Sequence, residues 1–145
     1  MRASRCLALD VGDERIGVAV SDAGGRIAQP LVVIRRVAGS ASMQRVAQLV
    51  AEYGVERVVV GLPLLRDGSE GKQAASVRAY LRGLAAFVAA PVELYDERDS
   101  TTRAEEILRA SPGGRARALR RLDAVAAAVI LQDYLDEVAG GSRAV

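Results

Sequence analysis

Arg5-Cys6-Leu7-Ala8-Leu9-Asp10-Val11-Gly12-Asp13-Glu14-Arg15-Ile16-Gly17-Val18-Ala19-Val20-Ser21-Asp22 is the stretch on which the fold turns. Arg5 to Val11 reads as a short buried strand, since Cys6 to Leu9 is unbroken by any polar side chain. Gly12-Asp13-Glu14 is a turn. Arg15 to Ser21 then alternates, with Ile16, Val18 and Val20 forming one apolar face of a second strand. Ala23-Gly24-Gly25 turns the chain again into a third strand, Ile27 to Val37, where Pro30 suits an edge or a bulge better than a central position. The three runs form an antiparallel meander. Asp10 stands inside it, ending an apolar run where a carboxylate costs several kcal/mol unless it is paired, hydrogen-bonded or bound to a metal.

Outward from the meander, helix and strand alternate. Ser40 or Ser42 caps a helix whose apolar face is Met43, Val46, Ala47, Leu49, Val50 and Tyr53, and Gly54 ends it. Arg57 to Val60 is a compact apolar run typical of a strand buried on both faces. Gly61-Leu62-Pro63 to Gly71 reads as a loop, with Asp67-Gly68-Ser69 a plain turn. A long helix carries Val77, Tyr80, Leu81, Leu84, Phe87 and Val88 at helical spacing. Val92 to Tyr95 is a fifth strand. Ser100 to Glu105 starts a helix with a capping box, Thr102 to Glu105. Ser111 to Ala118 reads as a basic, mobile loop, and the last helix covers about Leu119 to Val138. The order β-β-β-α-β-α-β-α-α implies a mixed five-stranded sheet flanked by helices, an α/β fold. One domain over residues 1–138 and a flexible tail over 139–145 are expected.

Composition narrows the chemistry. The chain has 145 residues, half of them hydrophobic, which suits one globular domain with one real core. It has no Trp and a single Phe, so the core is aliphatic and a base-stacking platform of the single-strand-binding kind is disfavoured. It has no histidine, which excludes histidine acid–base chemistry and histidine metal ligation. Cys6 is the only cysteine, so neither an intramolecular disulfide nor a thiolate zinc cluster can form. The absence of a long apolar run argues against a signal peptide or a membrane span, and a cytoplasmic location is expected. The net charge is only +2 but unevenly placed. Arg98, Arg103, Arg109, Arg115, Arg117, Arg120 and Arg121 face only Asp99, Glu105 and Glu106 between residues 98 and 122. Arginine forks suit phosphate.

Two further carboxylates resemble Asp10 in their setting. Glu97 follows the fifth strand and Asp123 opens the apolar run Ala124 to Leu131. If the first, fourth and fifth strands are parallel neighbours, Asp10, the Gly61-Leu62-Pro63 loop and Glu97 lie at their carboxyl ends, where ligands bind in open α/β sheets. Asp123 can pack over that end from the last helix. Each acid also has a local reading: an Asx turn for Asp10, a surface pair with Arg98 or Arg103 for Glu97, a first-turn helix acid for Asp123. Asp22 more naturally caps the turn at Ala23-Gly24. Convergence of three carboxylates calls for cations, and two hard cations ~4 Å apart can activate water and stabilise a leaving oxygen in phosphodiester hydrolysis. Leu9-Asp10-Val11-Gly12 is also similar to the first phosphate motif of the actin, hexokinase and Hsp70 superfamily. Asp13 stands where that motif carries Ser or Thr, and the chain is too short for two such domains. There is no Gly-x-x-x-x-Gly-Lys-Ser/Thr loop for a P-loop NTPase.

Taken together, Leu9-Asp10-Val11-Gly12, Arg15 to Asp22, Val60-Gly61-Leu62-Pro63, Asp67-Gly68-Ser69, Asp96-Glu97-Arg98 with Ser100-Thr101, Ala104-Glu105, and Asp123 to Ala127 resemble the YqgF family, also called RuvX, over about residues 5 to 138. The resemblance implies an RNase H-like fold close to RuvC-type resolvases and a cytoplasmic, divalent-metal-dependent nuclease acting in maturation of the 5′ end of 16S rRNA. Carried over by motif, Asp10, Glu97 and Asp123 are the acidic triad, holding two Mg²⁺ or Mn²⁺ ions. Arg15 and Arg98 support the site or touch nucleic acid, and Arg115, Arg117, Arg120 and Arg121 steer or clamp the phosphate backbone. Two alternatives stand beside pre-rRNA cleavage: a Holliday junction resolvase or DNA nuclease of the same fold, and a non-catalytic nucleic-acid-binding or transcription-associated factor. A monomer or a homodimer fits either. The chain departs from the family pattern at Leu64-Leu65-Arg66, where a polar Asn is usual, and at Asp99, where Leu is usual.

Overall fold

The computed structural model describes residues 4–97, residue 106 and residues 115–143, without the side chains of 97, 115–121 and 140–143. The expected helix from Ser100 and its Thr102–Glu105 capping box, the loop from Ser111 to Gly114, and Arg98 lie outside the described residues.

Three leading strands, β1 (Cys6–Val11), β2 (Arg15–Ser21) and β3 (Ala28–Arg35), form the expected antiparallel meander. Helix α1 (Ala41–Tyr53), β4 (Arg57–Pro63), α2 (Lys72–Leu84), β5 (Val92–Glu97) and α3 (Arg115–Arg143) follow. The strand order is β3-β2-β1-β4-β5, with β1, β4 and β5 parallel. Pro30 sits on the edge strand β3, where the β2–β3 register shifts at Val18/Ala19. That placement leaves its missing N–H without a ladder partner to disappoint. Gly54 ends α1 in the left-handed region at φ 62°, while Ser40 caps it without a side-chain hydrogen bond.

Strand alternation splits the core into two layers. Leu7, Leu9, Val11, Ile16, Val18, Val58 and Val60 face α1 and α2, where they pack on Val46, Leu49, Val77 and Leu84. Cys6, Ala8, Ala19 and Val59 face α3 and meet Ala127, Ile130, Leu131 and Tyr134. The second layer is built from small side chains, so α3 lies close to the sheet. Gln132 anchors it to the β2–β3 turn, accepting from Ala28 N at 3.0 Å and donating to Arg26 O at 2.9 Å.

Several boundaries differ from the sequence expectation. The strand expected to stop at Val60 continues to Pro63, and Gly61 is a strand residue and not the start of the loop. A Cβ there would lie 2.6 Å from Ile130 Cδ1, so the glycine serves the approach of α3. The last helix begins at Arg115, inside the segment expected as a mobile loop, and runs to Arg143, past the expected end near Val138. Helix α2 ends at Leu84, and Phe87 beyond it is exposed. Asp22 closes the β2–β3 turn as expected, its Oδ1 accepting from Arg26 N and Ile27 N. Asp67-Gly68-Ser69 is a turn, with Ser69 N donating to Asp67 Oδ1.

Candidate active site

Asp10 is next to last in β1 and pairs with Gly17 of β2. Residues paired across an antiparallel ladder project to the same face, so the missing side chain of Gly17 leaves open space beside the Asp10 carboxylate. The backbone of α3 fills that space. A Cβ on Gly17 would lie 1.8 Å from Asp123 O, far inside contact distance. Gly17 thus lets the helix deliver Asp123 directly above Asp10.

The electrostatics report the same proximity. The Asp10 carboxyl is pushed up to about 6, first by burial and then by the like charge of Asp123. Among the described residues, no hydrogen-bond donor and no cation is paired with Asp10. Asp123 does have a partner: Arg15 Nε donates to Asp123 Oδ2 at 2.8 Å, with the Arg15 side chain half exposed and that of Asp123 mostly covered. Arg15 opens β2, so the hairpin that places Gly17 under Asp123 also brings the guanidinium that holds it.

Glu97 ends β5 and pairs with Pro63 at the end of β4. Its backbone therefore reaches the same carboxyl edge of the parallel strands as Asp10. Position 97 falls in alternation with Glu93 and Tyr95, both of which meet α3 residues, Tyr134 and Glu137. Its side chain lies outside the described ones. No group of three or more His, Cys, Asp or Glu side chains converges among the described residues, where the pair Asp10 and Asp123 is what can be seen. Arg98 lies outside the described residues. Arg115, Arg117, Arg120 and Arg121 are on the first two turns of α3, just before Asp123, with side chains outside the described ones.

Sequence reasoning singled out Asp10 and Asp123 but missed Gly17, and it treated Gly61 as part of a loop. The available signal was alternation: between Ile16 and Val20 the strand alternates Ile or Val with the small Gly17 and Ala19. A small-residue face on a central strand marks where another backbone comes close.

Fold and site together define an α/β protein of the RNase H-like class, with an acidic centre at the carboxyl edge of a mixed sheet. The family model described as "RuvX: Holliday junction resolvase" matches residues 4–137, and the chain belongs to that family. It is a nuclease family, which makes the protein a hydrolase of phosphodiester bonds. A protein from Chloroflexus aggregans called "Putative pre-16S rRNA nuclease" is 47% identical over 136 residues, covering 94% of this chain and 96% of its own. One of the same name from an Anaeromyxobacter species is 50% identical over 133 residues, covering 91% and 96%. Among solved structures, Thermus thermophilus RuvC superposes with a TM-score of 0.59 at 16% identity, covering 94% of this chain and 96% of that one. This likeness confirms the fold expected from the resemblance.

Proposed function

We propose that this protein cleaves precursor 16S rRNA with the help of two divalent cations, Mg²⁺ or Mn²⁺, held by Asp10, Glu97 and Asp123. The observation that carries this reading is the Asp10 carboxylate: partly buried near the end of β1, raised to about 6, and facing another acid with no cation beside it among the described residues. A partly buried acid in that state gains most from a hard cation with oxygen ligands. The donor set fits, since carboxylate oxygens suit Mg²⁺ and Mn²⁺ and nothing in it is soft.

When bound, such ions activate a water and stabilise the leaving oxygen of an in-line displacement. The residues of the chain do the rest. Asp10 holds its carboxylate on a rigid central strand. Arg15 fixes the orientation of Asp123 by its 2.8 Å bond to Oδ2, and the other carboxylate oxygen has no partner among the described residues. Arg98, Arg115, Arg117, Arg120 and Arg121 supply the charge that gathers the phosphate backbone. Curated relatives of nearly full length carry the pre-16S rRNA name, which favours RNA as substrate and a cytoplasmic site of action.

The family model's description favours a second reading, resolution of four-way DNA junctions. A junction is two-fold symmetric, so that activity needs a symmetric dimer that cuts both strands. Incubating the protein with a 16S precursor carrying its 5′ leader, a matched DNA duplex and a four-way DNA junction, each with Mg²⁺ or Mn²⁺, separates the two. Cleavage of the precursor that disappears in Asp10→Asn is the expected result. Paired cuts in the junction by a dimer, with the RNA left intact, would replace it with the resolvase reading. Undiminished metal-stimulated cleavage in a clean Asp10→Asn preparation would remove the acidic centre from the mechanism.

A further inference from the structure

On the face of the sheet opposite α3, a cavity of about 490 Å³ lies between the β1–β2 turn, the end of β3, α1 and α2. Its walls include Asp13, Arg36, Ala38, Met43, Ala79 and Tyr80. Its size falls in the range of small-ligand sites, about 300–1,000 Å³. Arg36 is its organising residue. Nη1 donates to Gly12 O at 3.0 Å and to Ser76 Oγ at 2.8 Å, and Nη2 donates to Ser76 O at 3.3 Å. The guanidinium also lies 5.0 Å over the Tyr80 ring, whose hydroxyl is in turn held to Ser42 Oγ at 2.9 Å.

A guanidinium has five N–H donors. Three are occupied by neutral acceptors, which leaves Nε–H and one Nη2–H, neighbours on one edge, without an acceptor among the described residues. No carboxylate lies within 4.0 Å of Arg36 among the described residues, although Asp13 lines the same cavity. The positive charge is thus fixed in place by four contacts, with no carboxylate in direct contact among the described residues. An adjacent pair of N–H donors on a preorganised guanidinium is the arrangement that grips a phosphate. Beside it are an apolar wall, Ala38, Met43 and Ala79, and a carboxylate, Asp13, that can accept from a hydroxyl or an exocyclic amine. The cavity also adjoins the cleavage edge: Gly12, which Arg36 holds, is two residues past Asp10, ~7 Å of extended chain.

We infer that this cavity is a nucleotide subsite for the substrate strand, with one phosphate on Arg36, the base against Ala38, Met43 and Ala79, and a ribose or base donor on Asp13. The inference rests on the proposal that the chain acts on RNA. It gives the strand a second point of attachment on the other side of the sheet edge from Asp123, so that a nucleotide flanking the cleaved bond is held while the bond is cut.

The test is binding of a fluorescein-labelled 12-nucleotide single-stranded RNA to the full chain, read by anisotropy between 50 and 200 mM salt, in an Asp10→Asn background that prevents cleavage. Arg36→Gln is expected to weaken binding about tenfold and to lower the magnitude of the log–log salt slope by about 0.7, the value of one single-strand phosphate contact. Ala79→Phe fills the cavity from an exposed position of α2 and removes none of the acceptors of Arg36. It is expected to weaken binding by a similar factor and to leave the slope as it is. Thermal melts of each variant verify the fold. Parental affinity and slope in both variants would overturn the subsite, as would a lower melting temperature in Arg36→Gln with parental binding in Ala79→Phe, which marks Arg36 as a structural tie. If the parent protein neither binds RNA nor, with Asp10 restored, cleaves it, the RNA reading fails together with the subsite. If it does both and the variants bind as the parent does, only the subsite fails.

Discussion

The carboxyl of Asp10 titrates near 6 because burial and Asp123 both disfavour its charge. Its unfolded value is about 3.9. The folded state therefore holds the proton more tightly, and the sign of the linkage follows: between about pH 4 and pH 6, stability falls as pH rises, and above about 6 the full cost of the ionised pair is present. Two pKa units correspond to roughly 3 kcal/mol. Asp10→Asn removes that charge at constant shape, so in chelator at pH 7.5 it is expected to be more stable than the parent by about 2 kcal/mol in a denaturant melt. Addition of Mg²⁺ or Mn²⁺ should stabilise the parent and not the variant. An Asp10→Asn protein less stable than the parent without metal would contradict the picture of an unrelieved buried charge. Arg15 is the complementary case. Its half-exposed pair with Asp123 contributes little to stability, at most about 1 kcal/mol, but it orients the carboxylate proposed as a metal ligand. Arg15→Ala is expected to weaken metal affinity about 10- to 100-fold, as loss of an outer partner of a ligand commonly does, with little change in melting temperature. Calorimetric titration with Mn²⁺ reads this directly, and unchanged affinity would make Arg15 a surface charge only.

At the scale of elements, the site depends on how closely α3 can lie on β1, β2 and β4. Gly17 and Gly61 both face that helix, but what they meet differs. A methyl at position 17 collides with the backbone of Asp123 at 1.8 Å, and a backbone carbonyl cannot swing aside. A methyl at position 61 meets the end of the Ile130 side chain at 2.6 Å, which can change rotamer. Gly17→Ala is therefore expected to cost about 2–3 kcal/mol, the upper range for overpacking, and to reduce cleavage by moving Asp123 away from Asp10. Gly61→Ala should cost about 1 kcal/mol and be relieved by adding Ile130→Val, which shortens the colliding chain. Equal costs at the two positions in denaturant titrations would show that the helix slides as a whole and does not hold its place. The same contrast explains why Gly61 is misread from sequence. Glycine after an apolar run looks like a turn, and only the presence of α3 shows that it is a strand residue under a helix.

For the whole molecule, charge is separated from net charge. A total of +2 gives little attraction for a polyanion, but the arginines of the first turns of α3 precede Asp123 on the same helix. Replacing Arg117 and Arg120 by Gln is expected to lower the salt slope of RNA binding by about 1.4, two single-strand phosphates, and to leave the melting temperature within a degree or two. An unchanged slope would remove this segment from the binding surface. Unlike Arg36, these residues are expected to act at long range.

What the sequence determined by itself is whatever is local or periodic. The unbroken run of β1, the turn at Gly12-Asp13-Glu14 and the alternation of β2 specified the hairpin, the unbroken run Arg57 to Val60 specified a central strand, and the helical spacing from Met43 to Tyr53 specified α1. Asp10 and Asp123 stood out because a lone carboxylate in an apolar run needs a reason. The motifs, in order, were enough to place the chain in its family. Tertiary structure decided what depends on two distant segments meeting. Gly17 lies beneath Asp123, 106 positions later, and Arg15 reaches the same acid because the β1–β2 hairpin turns under α3. Arg36 acquires its bonds from Gly12 and Ser76, and its cavity from the β1–β2 turn, the end of β3, α1 and α2, which share no motif. A glycine or an arginine looks the same along a chain whether it serves a turn, a surface or a site. Its role is set by which backbone or acceptor the fold brings within 3 Å, and that is a property of packing.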